Sequence, residues 1–140
     1  MIAAAEKCIS TLPREGEGVH EQHQRLVRLI NDQAGENFRG AFRYDENDWS
    51  VLYVRDDLAT PDLQTVVPPL IQRAREHEPI VREADYDGLG VHRASVSVHA
   101  EAVLVHIREG TQSGTVVTLD TEVARNISEF VTQCEAVLQA

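Results

Sequence analysis

Six histidines, two cysteines and a set of arginines are the residues of this chain that could do chemistry. His20 and His23 lie three apart with Glu21 between them, so they can share one helix face. The pair falls one residue short of the His-Glu-x-x-His spacing that puts two zinc ligands and a base on one turn. A solvated helix start is the expectation there. His92, His99 and His106 sit on or near one β-rich stretch, where alternation puts at most His99 and His106 on the same face. They read as surface or core imidazoles rather than metal ligands. Cys8 and Cys134 fall on apolar helical stripes, where a free thiol packs as a small hydrophobe. Nothing in the sequence places a base or an electropositive setting beside either one. There is no glycine-rich phosphate loop and no Gly-x-Ser-x-Gly elbow. The acidic runs Asp45/Glu46/Asp48 and Asp56/Asp57 suit solvated loops better than a cation site. No constellation supports catalysis, so the expectation is a non-enzyme without metal or cofactor.

The arginines stand apart. Thirteen basic residues against twenty-three acidic ones give a net charge of −10, and Lys7 is the one lysine among the thirteen. Such a charge argues against a nucleic-acid binder, since phosphate affinity comes mostly from cations. No apolar run is long enough to cross a bilayer, and the start MIAAAEKCIST lacks a signal peptide's basic flank and apolar stretch. A cytoplasmic protein with reduced thiols is expected. Acid-rich, lysine-poor chains resemble the cytosolic proteins of salt-in haloarchaea. At ~1 M salt the Debye length is about 3 Å, so repulsion among surplus carboxylates is screened.

The elements that must position these residues follow from periodicity. An apolar content of 42% in 140 residues supports one sizeable core. Ile2, Ala5, Cys8, Ile9 and Leu12 make a short N-terminal helix, and the stretch from Pro13 to Gly18 a linker, so 1–18 precede a single α+β domain over 19–140. A helix spans about His20 to Ala34, with Gly35 as its stop. Phe38–Tyr44 and Trp49–Arg55 form a hairpin in which Tyr44 faces Trp49, Phe42 faces Val51 and Gly40 faces Tyr53. This register places Phe38, Phe42, Tyr44, Trp49 and Tyr53 together as core. Thr60 caps a helix with Pro61 in its first turn, and the stripe Leu63, Val66, Val67, Leu70, Ile71, Ala74 continues past Pro68-Pro69, which implies a kinked or two-piece helix. A long acidic connection over 76–90 leads to a second hairpin that pairs Val98 with Val103, Val96 with Val105, Ser95 with His106 and Arg93 with Arg108. Thr115–Leu119 is a third strand of this block. Asp120 or Thr121 then caps a last helix with the stripe Val123, Ile127, Val131, Cys134, Leu138.

The order α-ββ-α-βββ-α resembles the roadblock fold, a member of the profilin-like group that includes PAS and GAF sensor domains. The segments RYDENDWSVLYVRDDL (43–58) and SGTVVTLD (113–120) also look like stretches of small uncharacterised haloarchaeal proteins. The roadblock resemblance implies a five-stranded antiparallel sheet with helices on both faces, homodimerisation, and adaptor work on a small GTPase or ATPase.

If both hairpins bury their more apolar faces on the same side, the opposite faces gather Arg39, Arg43, Arg93 and Arg108 with His106 and Ser95. Those six residues are the candidate ligand- or partner-binding set, because guanidinium groups grip carboxylates and phosphates through paired hydrogen bonds. Pairing with acidic residues of a covering helix is the structural alternative. A non-catalytic adaptor acting through protein–protein contacts is the expected function. A small-molecule sensor of PAS/GAF type, holding an anionic ligand on the mixed sheet face, is the alternative.

Overall fold

The structure is a computed structural model that describes residues 17–82 and 85–139. The expected helix at 2–12, with Cys8, lies outside the described residues. Helix α1 (Glu17–Ala34) leads through a 3-10 turn to strands β1 (Phe38–Tyr44) and β2 (Trp49–Val54). Helix α2 (Leu63–Glu76) follows, then β3 (Ser95–Val98), β4 (Ala102–Arg108), β5 (Gly114–Asp120) and helix α3 (Arg125–Leu138). The five strands form one antiparallel sheet in the order β2-β1-β5-β4-β3. The expected α+β order is therefore observed.

Each sheet face has its own core. Phe42, Tyr44, Val54 and Val116 pack with Val67, Ile71 and Ala74 of α2. Phe38, Ala41, Leu52, Tyr53 and Val117 pack with Val27, Ile30 and Ala34 of α1. Gly35 ends α1 at a φ of +55°, where a side chain would be strained.

The first hairpin departs from strict alternation. Tyr44 pairs with Trp49 and Phe42 with Val51 as expected, but a bulge between Ala41 and Phe42 then sets Ala41 against Tyr53 and Gly40 against Val54. A bulge puts one extra residue on one strand and so reverses the facing of everything beyond it. Tyr53 thus leaves the Tyr44 side and stacks on Phe38 at 4.3 Å between ring centres. The aromatic set is divided between the two faces.

Helix α2 is one uninterrupted element with Pro68 and Pro69 inside it. The carbonyls these prolines leave without a helical donor belong to Gln64 and Thr65, which are both exposed to water. Thr60 makes no side-chain cap, and the helix begins at Leu63. The second hairpin keeps its expected register from Ser95–His106 to Val98–Val103. The pairing stops at Ser95, so Arg93 lies outside the strand.

The largest departure is α3. Its expected core stripe faces solvent: Ile127 is 51% and Leu138 82% exposed, and Cys134 is exposed too. Within α3 only Ser128 and Val131 are half-buried. No described helix is long and apolar enough to cross a membrane.

Candidate functional site

The two hairpins do not bury their more apolar faces on the same side. Strand β5 lies between them and pairs Val116 with both Phe42 and His106. His106 and Arg108 therefore share the α2 face with Tyr44, while Arg43 points to the α1 face. This facing divides the expected arginine layer into separate sites.

Arg39 sits at one end of the sheet, 3.2 Å from Asp120. Asp120 also pairs with Arg55 at 2.8 Å, and Arg55 with Asp57 at 2.7 Å. Hydrogen bonds from Arg55 and then Arg39 hold the Asp120 carboxyl below its usual range. Arg43 reaches Asp45 and the Ser50 hydroxyl, both at 3.4 Å, on the α1 side. Arg93 is exposed and makes no ion pair or hydrogen bond among the described residues.

Arg108 closes the end of α2. Its guanidinium donates to the Ala74 and His77 carbonyls at 3.0 and 2.7 Å, and to the Thr111 carbonyl at 2.8 Å. A cation there satisfies orphan carbonyls and meets the negative end of the helix dipole. These acceptors are main-chain oxygens of this chain rather than carboxylates.

Ser95, His106 and Arg108 do come together, joined by residues from α2 and β1. The His106 Nε2 lies 2.7 Å from the Tyr44 hydroxyl, which is 3.4 Å from the Ala74 carbonyl. Burial first, then the nearby Arg108 charge, pushes the His106 pKa down to about 4. His106 is thus neutral at pH 7. Burial also raises the Tyr44 pKa, so its hydroxyl keeps the proton and can donate it to the imidazole. His77 meets the His106 ring edge-on at 5.5 Å. The Ser95 hydroxyl lies 3.1 Å from His77 Nε2 and 3.0 Å from His92 Nε2. Beside it Ser97 contacts His99 at 2.8 Å.

This cluster borders a cavity of about 630 Å³ between the last turns of α2 and the β3–β4 hairpin. Leu70, Ala74, Leu104 and Val116 give it an apolar floor, while Arg73, His77, His99 and His106 supply its basic groups. No Asp or Glu among the described residues lines it. Among the described residues, no three His, Cys, Asp or Glu side chains are arranged to hold a metal.

His77 and Arg73 belong to no sequence motif, although the α2 stripe leads to one of them. Continuing Leu70 and Ala74 by three residues reaches His77 on the same face. His23 also differs from its expected solvated position, being only 6% exposed. It lies 3.8 Å from Glu109, whose other oxygen accepts a 2.6 Å hydrogen bond from Thr115. The His23 imidazole, and after it the Thr115 hydroxyl, hold Glu109 low against the cost of burial.

No curated protein matches the chain, and no solved structure matches it. A family model described as a domain of unknown function, DUF7522, matches residues 24–139, and the chain belongs to that family.

Proposed function

We propose that the protein is a non-catalytic cytoplasmic adaptor that works through protein–protein contacts as a homodimer, with a small GTPase or ATPase as its class of partner. One observation carries the self-association: an apolar stripe along α3 and the 3-10 turn before it lies in solvent. Val123, Ile127, Phe130, Cys134 and Val137 recur at intervals of four and three residues, and Phe130 is 65% exposed. That repeat forms a seam that needs a second helix with the same seam. The GTPase or ATPase class rests on the roadblock resemblance of the element order. A net charge of −10 speaks against nucleic acid as the partner.

Light scattering in ~2 M KCl, where carboxylate repulsion is screened, tests the dimer. The native chain is expected at twice its monomer mass at tens of micromolar, and Phe130→Glu at the monomer mass with an unchanged fold. A monomeric native chain, or a dimer indifferent to the substitution, overturns the reading.

A further inference from the structure

We propose that the cavity between α2 and the β3–β4 hairpin binds a small organic acid, with an apolar body on Leu104 and Val116 and its carboxylate on Arg73. This site is independent of the dimer seam and goes beyond the adaptor reading.

Charge gives the first reason. In a chain of net charge −10, the cavity lining contains Arg73, His77 and His99 but, among the described residues, no carboxylate. An acidic protein has thus kept one concave surface free of its commonest charge, which suits an anion.

Arg73 gives the second. Arg39, Arg43, Arg55, Arg75 and Arg108 all hold partners within the chain. Arg73 is exposed at the cavity and makes no ion pair or hydrogen bond among the described residues. Its guanidinium retains the planar pair of donors that matches a carboxylate.

The hydrogen-bond network gives the third. A serine hydroxyl has one hydrogen, yet Ser95 contacts both His77 and His92. At least one of these imidazoles therefore donates to Ser95, so its proton-bearing nitrogen faces the β3 wall. These contacts fix the orientation of His77 beside an apolar floor. A volume of about 630 Å³ falls in the range of small-ligand sites. An inorganic anion would leave Leu70, Leu104 and Val116 uncovered, which is why an acid with an apolar body is the fit.

Titration of the full-length chain with sodium benzoate, sodium hexanoate, benzamide and inorganic phosphate, followed by amide NMR shifts at constant ionic strength, tests the proposal. Either acid should give saturable shifts confined to β3, β4 and the end of α2. Benzamide, which lacks the charge, and phosphate, which lacks the apolar body, should bind at least about tenfold more weakly. Arg73→Gln should weaken acid binding by about tenfold, and Ser97→Trp should abolish it by filling the cavity. Arg73 lies on an exposed helix surface, so its variant remains informative if Ser97→Trp folds poorly. The absence of saturable shifts with both acids, equal binding of benzamide or phosphate, or an indifferent Arg73→Gln overturns the proposal. None of these outcomes bears on the oligomeric state.

Discussion

The guanidinium of Arg108 donates to the main-chain oxygen of His77 at 2.7 Å, so a side chain from β4 terminates the helix that covers the sheet. The same guanidinium reaches Ala74 one turn earlier, where Tyr44 also approaches the carbonyl. Helix end, sheet and histidine cluster are thereby one unit.

Arg108→Ala should lower unfolding stability by about 1–3 kcal/mol, because helix-end carbonyls lose a charged donor. Arg108→Lys keeps the charge but cannot span three acceptors, and should fall between the two. Denaturant melts at pH 7 give the comparison. A change within error for the alanine variant would show that water replaces the guanidinium without cost.

His106 should make the fold acid-sensitive in a defined window. In the unfolded chain its imidazole takes a proton near the ordinary value of 6.5, whereas in the folded protein it resists until about pH 4. The unfolded state therefore binds more protons between those values, and stability falls as pH drops through them. Above the unfolded value the group contributes nothing to the slope. Arg108, His77 and His92 are the charges that face it, and all three disfavour a second cation. His106→Asn should flatten the stability–pH curve between pH 6.5 and about 4 relative to the native chain. Parallel curves for the two proteins would count against a neutral buried imidazole.

The second hairpin was legible from Ser95–His106 to Val98–Val103, because valine and serine alternate there without interruption, but the Arg93–Arg108 pair was not, since the ladder ends at Ser95. The first hairpin was not. Leu52, Tyr53 and Val54 form an unbroken apolar run, so nothing in the residue types marks where the bulge reverses the facing. That one extra residue moved Tyr53 to the other core. The arginine layer failed for a different reason, the assumption that both hairpins bury their apolar faces on the same side. Strand β5 sets their relative facing, which depends on contacts far apart in sequence. Arg108 and Ala74 are likewise 34 residues apart, and no local spacing reveals a helix terminated from such a distance. The helix of α3 was legible from its periodicity but its core stripe was not: Ile127 and Leu138 of that stripe face solvent together with Phe130 and Val137, which lay outside it, because helical periodicity fits a buried face and an exposed one equally well.

Stability should rise with salt. At low ionic strength the −10 charge repels itself across the whole surface, and ~3 M KCl reduces that repulsion to contact range. The Arg39–Asp120–Arg55 network is only partly exposed and is screened less than the surface charges. The melting temperature is therefore expected to increase substantially from ~0.1 M to ~3 M KCl. A flat or falling curve would exclude salt adaptation as the source of the acidic composition.

Gly114 offers a test of the unit as a whole. It stands in β5 between Tyr44 on β1 and Arg108 on β4, paired with both. A Cβ there would lie 2.7 Å from the Ile107 carbonyl and 2.7 Å from the Tyr44 hydroxyl. The carbonyl belongs to a paired strand and cannot move far, so the Tyr44 ring must yield. Gly114→Ala should then cost about 1–3 kcal/mol, the usual range for overpacking a filled core. It should also weaken the 2.7 Å contact between Tyr44 and His106. Loss of that donor lets water reach the imidazole, which raises its pKa toward the ordinary value and narrows the acid-sensitive window from its lower end. The His106 titration followed by NMR separates this outcome from simple destabilisation. If stability falls while the His106 pKa stays where it is, Tyr44 has kept its place and the strain has gone into the backbone of β4.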